Sequence, residues 1–415
     1  MTEQAKVPAI RFAGFTDPWE QRKLGELFEE SDERASDREI LSVSVANGIY
    51  PASESDRETN PGASLANYKI VHFGDVVYNS MRMWQGAVDA SRYDGIVSPA
   101  YVVARPNSEV YARFFARLLR QPMLLKQYQQ VSQGNSKDTQ VLKFDDFASI
   151  GISMPASENE QRRIGGFFDR LDSLITLHQR KYDKLVIFKK SMLEKMFPKD
   201  GESVPEIRFA GFTDPWEQRK FGDCFEFLKS NTLSRAGLNG ENGTARNVHY
   251  GDILIKFGDC LDGERSDLPF ITDDTVLPKY AGAILREGDV IFADTAEDET
   301  AGKCVELRKL PKEPTISGLH TIPARPRFPF GTGYLGHYLN SDAYHRQLLP
   351  LMQGIKVISV SKAALQDTQV RFPGLSEQSA IGAALNEIDS LITLHQRKLE
   401  LLQNIKKSLL DKMFA

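Results

Sequence analysis

Two stretches of the chain carry a long helical pattern of apolar positions. Between Glu160 and Phe197, mainly apolar residues recur at spacings of three and four over several heptads, which predicts one long amphipathic helix. The pattern returns near the end of the sequence and predicts a second such helix. A long helix with one apolar stripe needs a partner, so we expect an antiparallel two-helix coiled coil. Its predicted interface residues are Leu171, Leu174, Ile175, His178, Tyr182, Leu185, Ile388, Leu391, Ile392, His395, Leu399 and Leu402.

Two tracts of the sequence occur twice. The tract RFAGFTDPWEQRK at Arg11–Lys23 recurs letter for letter at Arg208–Lys220, and DSLITLHQRK at Asp172–Lys181 recurs at Asp389–Lys398. Because chance does not supply such identities, the chain consists of two related halves. Each half has a repeated head, a divergent middle and a repeated tail.

Helix-start signals stand in both repeated tracts. In the head, Asp17 followed by Pro18 and Glu20 is typical of a capped helix start and predicts a short helix there. In the first tail, Ser157 and Glu160 have the spacing of a capping box, in which the glutamate side chain turns back to the cap.

The first middle alternates short apolar runs with polar loops, which predicts mixed α and β structure. Asp75–Tyr78 predicts a strand, and the loop after it carries residue types that pair with base edges, namely arginine with guanine and asparagine or glutamine with adenine. A polar glycine loop follows at Gln133–Leu142. The alternative is that Trp84 packs in a core and Arg82 is a surface charge. The candidate DNA-contacting residues are Asn79, Ser80, Arg82, Trp84, Gln85, Asn135, Ser136 and Lys137.

An arginine stripe lies between the two loops of the first middle. Arg113, Arg117 and Arg120 share one face of a predicted helix. Such a face suits contact with DNA phosphates, and a solvated face explains the stripe nearly as well.

The second middle has the same layout with other side chains. Asp289–Phe292 predicts a strand, but the loop after it is acidic, and a second glycine loop spans Gln353–Lys362. Carboxylates accept hydrogen bonds from cytosine, or they are merely solvated. The candidate DNA-contacting residues of this half are Arg235, Asp294, Glu297, Lys356, Ser359 and Ser361.

Composition narrows the class of protein. With 415 residues, 41% of them hydrophobic and 26% charged, the chain is expected to form two or more globular domains. Its three cysteines have no metal-ligand spacing and favour a reducing cytoplasm. The formal net charge of -4 is unusual for a free-standing DNA-binding protein, so a partner would supply much of the phosphate neutralisation.

Signals of catalysis are missing from the sequence. It contains no phosphate loop of the form GxxxxGK[ST] and no HExxH, so we expect no catalytic residues and no metal site. His178 and His395 lie on the predicted helix interface, where a metal or acid–base role competes with a role in fixing the register of the two helices.

In the order and duplication of these motifs, the chain resembles the specificity (S) subunit of type I restriction-modification systems. The resemblance rests on the RFAGFTDPWEQRKLGEL head, the GDVVYNSMRMWQGA and GDVIFADTAEDET strand-loops, the QG loops and the tails. It implies DNA-contacting loops at Asn79–Gln85 with Gln133–Lys137, and at Asp294–Asp298 with Gln353–Ser361.

The resemblance also implies an assembly. Two target-recognition domains would each recognise one half of a bipartite target in double-stranded DNA, and the tail helices would separate them and dock two methyltransferase (M) subunits. The M subunits would bind S-adenosylmethionine, and restriction (R) subunits would use ATP and Mg²⁺. This chain would bind no cofactor and would not be an enzyme itself.

The expected fold is α+β, a mixed α/β class, with two globular domains separated by the coiled coil. The expected boundaries are 1–156 for the first recognition domain, 157–197 for its spacer helix, 198–205 for a linker, 206–373 for the second recognition domain and 374–415 for the second helix. The alternative function is a coiled-coil interaction scaffold that does not bind DNA.

Overall fold

A computed structural model describes residues 7–55, 65–134, 140–264 and 267–414. The chain divides into two compact units. Unit 1 comprises Met1–Gln179 with Arg397–Ala415, and unit 2 comprises Arg180–Gln396. Both units combine sheets with helices, so the mixed α+β class is confirmed. Among the described helices, none is both long and apolar enough to cross a membrane.

Unit 1 is built on a four-stranded antiparallel sheet in the order β2-β9-β6-β7. Smaller pairs join β3 to β4, β5 to β8 and β1 to β10. Short 3₁₀ segments lie at Leu24–Glu26, Ala52–Glu54 and Met83–Gln85. The strands are β1 Glu20–Lys23, β2 Phe28–Glu30, β3 Leu41–Ser44, β4 Gly48–Pro51, β5 Lys69–Val71, β6 Val76–Asn79, β7 Val88–Ala90, β8 Gly95–Val97, β9 Tyr101–Pro106 and β10 Gly151–Met154. The helices are α1 Ala112–Leu118, α2 Pro122–Val131, α3 Phe144–Ala148 and α4 Glu158–Lys195, whose last residues belong to unit 2.

Unit 2 has the corresponding sheet in the order β12-β21-β17-β19, extended by β15. Its strands are β11 Glu217–Lys220, β12 Phe225–Phe227, β13 Leu238–Asn239, β14 Arg246–Val248, β15 Cys260–Asp262, β16 Phe270–Ile271, β17 Val290–Ala293, β18 Thr295–Ala296, β19 Cys304–Arg308, β20 Thr315–Ser317, β21 Thr321–Pro326, β22 Ile358–Ser359 and β23 Gln369–Phe372. Its helices are α5 Phe221–Cys224, α6 Tyr250–Ile255, α7 Tyr334–Asn340, α8 Asp342–His345, α9 Lys362–Asp367 and α10 Leu375–Met413. Segments of 3₁₀ helix lie at Arg235–Gly237, Asp274–Ala283 and Leu349–Leu351.

The repeated head forms a strand in both units, so the predicted short helix is wrong. Residues Glu20–Lys23 pair antiparallel with β10, and Glu217–Lys220 pair with β23. Burial of Trp19 beside β1 and of Trp216 beside β11 fixes each strand against its core, and this tertiary packing overrides the local helix signal. The head therefore joins the strand that directly precedes each long helix.

A buried ion pair adds a second link between head and helix. In unit 1, both carboxylate oxygens of Glu160 accept hydrogen bonds from Arg11, at 2.6 and 2.7 Å. The predicted capping box is therefore wrong, because this carboxylate is turned to Arg11 and the carbonyl of Ser157 accepts the first helical N–H groups. Arg208 and Glu377 form the same pair in unit 2, at 2.6 and 2.7 Å.

The long helices run antiparallel within each unit. In unit 1, the ring centroid of Phe168 lies 6.0 Å from that of Phe414, and Asp172 pairs with Lys406 at 2.6 Å. A later residue of α4 thus contacts an earlier residue of α10. Unit 2 repeats the ion pair with the roles exchanged, between Lys189 and Asp389 at 2.6 Å.

Most predicted interface residues are buried or half-buried. Leu174 is an exception, since 46% of it is exposed. Phe188 and Ile405, at equivalent places of the repeat, are also exposed. At both places the next residue, Lys189 or Lys406, is half-buried and forms the ion pair described above. The remaining predicted residues are Leu171 and Leu399, which are buried, and Ile175, His178, Tyr182, Leu185, Ile388, Leu391, Ile392, His395 and Leu402, which are half-buried.

Candidate nucleic-acid interface

The loop after β6 presents the predicted base-contacting residues of unit 1. Arg82 is exposed and donates a hydrogen bond to Gln85 at 3.3 Å. Trp84 is half-buried against the core, and its Nε1 donates to the carbonyl of Met81 at 3.2 Å. The amide oxygen of Asn79 accepts from the N–H of Met81 at 3.0 Å. Arg82 and Gln85 therefore offer the accessible polar groups of this loop, which is closed by its own hydrogen bonds.

The glycine loop is closed at its base in both units. Gln133 and Val141 exchange backbone hydrogen bonds at 3.0 and 2.8 Å, and Gln353 and Ser359 do the same at 3.0 and 2.8 Å. Gly134 has φ 147° and Gly354 has φ 116°, a region that favours glycine. The predicted residues Asn135, Ser136 and Lys137 lie outside the described residues.

The same pair of backbone hydrogen bonds joins the loops in each unit. In unit 1, the N–H of Leu142 donates to the carbonyl of Ser80 at 2.9 Å, and the N–H of Ser80 donates to the carbonyl of Ala100 at 3.1 Å. The hydroxyl of Ser80 donates to the same Ala100 carbonyl at 2.8 Å. We call this arrangement the strand-end node. It brings the strand-end loop, the glycine loop and the start of β9 together.

Unit 2 contains an equivalent strand-end node. The N–H of Val360 donates to the carbonyl of Asp294 at 2.8 Å, and the N–H of Asp294 donates to the carbonyl of His320 at 3.0 Å. Here the two loops also pair as strands, with Thr295 opposite Ser359. The backbone of the node is thus shared between the units, while its side chains differ.

The other predicted residues of unit 2 have separate surroundings. Glu297 and Lys356 are exposed. Ile355, beside Lys356 in the glycine loop, is 98% exposed. Ser361 caps α9, because its hydroxyl accepts from the N–H of Ala364 at 3.1 Å. That hydrogen bond gives Ser361 a structural role in addition to any contact with a ligand.

Arg235 pairs with a buried carboxylate. Its guanidinium donates two hydrogen bonds of 2.7 Å to Asp252, which is 1% exposed. Although burial opposes ionisation of Asp252, the hydrogen bonds from Arg235 and Lys256 lower its pKa. The guanidinium of Arg235 therefore neutralises the negative charge of Asp252, which lies in the first turn of α6.

Two aromatic residues link α6 to the strand-end node and were not predicted from the sequence. The Tyr250 ring lies edge-on to the His320 ring, with 5.3 Å between centroids. The Nδ1 of His320 lies 3.4 Å from Oδ1 of Asp294. No local pattern marks either residue, because their proximity depends on contact between α6 and the turn before β21.

The arginine stripe of α1 does not form a phosphate-binding or solvated face, and both sequence-based interpretations are wrong. Arg113 donates to both oxygens of Asp169, at 3.0 and 2.8 Å, and Arg117 lies 2.6 Å from Asp172. Arg120 donates to the carbonyls of Gly86 and Val45, at 3.0 and 2.7 Å. Arg113 and Arg117 thus face inward because two aspartates of α4 attract them, and Arg120 is held by backbone carbonyls.

One carboxylate–histidine cluster has the composition of a metal site. Asp259, His337 and Asp389 place their potential ligand atoms within 4.8 Å of one another. The ammonium of Lys189 lies between the two carboxylates, 2.7 Å from Asp259 and 2.6 Å from Asp389. Burial opposes ionisation of Asp259, but the hydrogen bond from His337 and the charge of Lys189 hold its pKa well below the ordinary value. The ammonium of Lys189 therefore takes the place that a metal cation would have between these carboxylates.

Comparison with known proteins points to one family. Residues 16–186 match the model of the type I restriction modification DNA specificity domain. The chain is 25% identical over 276 residues to the type I restriction enzyme MjaVIII specificity subunit of Methanocaldococcus jannaschii, an alignment that covers 64% of this chain and 61% of that protein. The chain thus spans less than two thirds of the length of this relative.

Two further proteins are similar over more of their length. The putative type I restriction enzyme MjaX specificity subunit of the same organism is 21% identical over 369 residues, covering 84% of this chain and 79% of that protein. The fold is similar to the crystal structure of a type I restriction-modification system S subunit from M. genitalium, with a TM-score of 0.55, 12% identity and 99% of each chain covered. The chain is thus similar to type I restriction-modification specificity subunits, and its residues 16–186 match their DNA specificity domain.

Proposed function

We propose that the chain recognises double-stranded DNA as the specificity subunit of a type I restriction-modification complex, and that each unit recognises one half of a bipartite target. The matched DNA specificity domain supports the first part. The strand-end node supports the second, because the same backbone arrangement holds different side chains in the two units. A constant scaffold with different loop side chains suits two half-sites of different sequence.

The long helices α4 and α10 are the proposed spacer and docking elements. We assign them to a two-helix coiled coil that separates recognition domains at 1–156 and 206–373 and binds two methyltransferase subunits. Exposed apolar side chains at equivalent places of the two helices support docking, namely Leu177 with Leu394 and Phe188 with Ile405.

Chemistry is assigned to the partners in this proposal. Methyltransferase subunits bind S-adenosylmethionine and methylate the target, and restriction subunits use ATP and Mg²⁺ to cleave DNA in the cytoplasm. The specificity subunit contributes sequence recognition and geometry and needs no cofactor. The matched DNA specificity domain favours this proposal over the competing scaffold function.

Recognition of the first half-site can be tested at Arg82 and Gln85. The full chain is coexpressed with the methyltransferase subunits of the same system, and the methylated motif is determined by methylome sequencing. We expect the double substitution Arg82→Ser with Gln85→Ser to relax at least one base pair of one half-site. Arg82 is exposed, Gln85 is half-buried, and both are residue types that hydrogen-bond to base edges. It leaves the buried Met83 in place.

The matched control is Phe73→Ser, a 72% exposed residue just before the opposite end of β6. It should leave the motif unchanged, and gel filtration should show the complex intact for both variants. An unaltered motif in the double variant would remove these residues from the interface, and a complex without any sequence preference would favour the scaffold.

A further inference from the structure

We propose that His320, with Asp294 and Tyr250, forms a nucleobase-contacting site in unit 2 that selects a guanine–cytosine base pair. The proposal rests on the proposed DNA-recognition function and assigns part of it to residues of three different segments. Tyr250 begins α6, Asp294 follows β17, and His320 lies directly before β21.

The backbone of His320 is strained. Its φ of 54° lies in the left-handed region, and among the described non-glycine residues only Lys309 shares this property. A left-handed backbone is strained for a non-glycine residue, and such residues cluster at ligand-binding sites. Ala100, at the equivalent place of the node in unit 1, has no positive φ. Unit 2 therefore has a histidine with a strained backbone at the position where unit 1 has an alanine with an unstrained one.

The imidazole is held by its inner nitrogen. Nδ1 lies 3.4 Å from Oδ1 of Asp294 and 3.5 Å from the hydroxyl of Thr295, which itself donates to Asp294 at 2.7 Å. About half of the His320 side chain, 49%, is exposed. Nε2 of His320 and Oδ2 of Asp294 have no hydrogen-bond partner within the described residues. One nitrogen is thus fixed by the protein, and the other is available to a ligand.

The surrounding residues hold the ring in place. Tyr250 packs edge-on against His320, and the His249 ring lies 4.7 Å from that of Tyr250. Burial, followed by the charge of Arg235, lowers the pKa of His249. Arg235 in turn is paired with Asp252. The site therefore presents a carboxylate, an imidazole and a phenol on a rigid base rather than on a free loop.

The chemistry of these groups favours guanine–cytosine. A carboxylate accepts a hydrogen bond from the amino group of cytosine. Adenine also has an amino group in the major groove, but its N7 acceptor lies beside that group and repels a carboxylate. With Nδ1–H directed at the Asp294 carboxylate, the imidazolium form of His320 also donates from Nε2 and can bind N7 or O6 of the paired guanine. Unit 1 lacks this combination, because its Ser80 hydroxyl is bound to the carbonyl of Ala100.

The test uses the full chain in complex with the methyltransferase subunits of the same system. Duplexes carrying each of the four base pairs at every position of the second half-site compete for binding. We expect the wild-type complex to prefer guanine–cytosine at one position by about tenfold or more. The substitution His320→Gly should reduce this preference to about threefold or less at that position while leaving the first half-site unchanged.

Glycine separates recognition from folding, because it removes the ring and also relieves the left-handed strain. Thermal unfolding of His320→Gly should therefore occur at or above the wild-type temperature. The matched control is Lys309→Gly, which relieves strain at the other left-handed residue and should leave base preference unchanged. His320→Asn keeps a hydrogen-bonding group in a residue that tolerates this backbone and should retain part of the preference.

Several results would overturn the proposal. Full base preference in His320→Gly would exclude the contact, and an equal loss of affinity for all duplexes would indicate a phosphate contact instead. A wild-type complex that binds all duplexes equally would overturn the proposed DNA-recognition function, and this site with it.

Discussion

Units 1 and 2 connect their long helices to the same type of sheet with different distributions of charge. In unit 1, α1 supplies the cations Arg113 and Arg117, and α4 supplies the shared anion Asp169. At the places equivalent to Arg117 and Asp169, unit 2 has His337 and Asn386, which lie 3.2 Å apart between Nε2 and Oδ1. At this pair of places, an ion pair in unit 1 is thus replaced by a histidine–asparagine hydrogen bond in unit 2.

The sheet strand next to this helix also differs between the units. In unit 1, Arg113 donates to the carbonyl of Ala90 on β7 at 3.0 Å. In unit 2, the equivalent strand residue is Glu306, whose carboxylate accepts from the backbone N–H groups of Gly333 and Gly336 on the helix side. The side chain that fills this space comes from the helix in unit 1 and from the strand in unit 2. The residues of such a junction must therefore be substituted together, because exchanging one residue alone would bury an unpaired charge.

The largest expected difference follows from removing Asp169. The substitution Asp169→Ala removes the anion that Arg113 and Arg117 share. Arg117 keeps Asp172, but among the described residues Arg113 keeps only Asp89, at 3.4 Å, as an ion-pair partner, so we expect the free energy of unfolding of unit 1 to fall by about 3 kcal/mol. At the equivalent place of unit 2, Asn386→Ala removes one hydrogen bond to His337 and should cost about 1 kcal/mol. Hydrogen-exchange mass spectrometry on peptides of each unit measures both effects. Equal losses would contradict the inferred difference between the junctions.

A medium effect is expected where the ion pairs between the long helices are lost. Lys189→Met should destabilise unit 2 by about 2 kcal/mol, because Asp389 has no other ion-pair partner among the described residues. Lys406→Met should destabilise unit 1 by less than about 1 kcal/mol, because Asp172 keeps Arg117 at 2.6 Å. Urea unfolding of the two variants side by side makes the comparison, and a larger loss for Lys406→Met would reverse it.

The smallest expected effect concerns the loss of folding stability at acidic pH. The folded state lowers the pKa of Asp259, so its contribution to stability is present above the ordinary pKa of about 4 and is lost as pH falls below it. Burial raises the pKa of Glu306, so its contribution has the opposite sign and is lost as pH rises. Asp259→Asn should reduce the acid loss of stability by about 1 kcal/mol, and Glu306→Gln should increase it.

Melting temperatures at pH 7 and pH 3 distinguish the two variants. A shift in the same direction for both would show that one of the two carboxylates has been assigned the wrong sign. Glu297→Gln is the control, since this carboxylate is exposed.

The spacing of apolar residues in the sequence correctly predicted strands and helices whose own side-chain pattern determines their type. The strand predicted at Asp75–Tyr78 lies at Val76–Asn79, and the helix predicted from Glu160 begins at Glu158. Partners that are distant in sequence explain the errors. The stripe with Arg113 has the pattern of an outer face, and only its contact with Asp169 turns it inward. His320 carried no sequence signal because its distinguishing features are a backbone angle and a contact with Tyr250.

The closing residues of unit 1 have a consequence for synthesis on the ribosome. Met413 and Phe414 belong to the same core as Trp19 and Phe114, with Phe114 and Phe414 stacked at 5.4 Å between centroids. All of unit 2, Arg180–Gln396, is translated between the two parts of unit 1. At synthesis rates of about 5–20 residues per second, that interval lasts on the order of 10–40 s.

During this interval unit 1 exposes an unfilled apolar groove, while unit 2 is continuous in sequence and has all of its residues. We therefore expect the second unit to reach its native core before the first. A chain that ends at Gln396 and has left the ribosome would show a folded unit 2 and a protease-sensitive unit 1, so folding would proceed in the reverse of the order in which the two units begin.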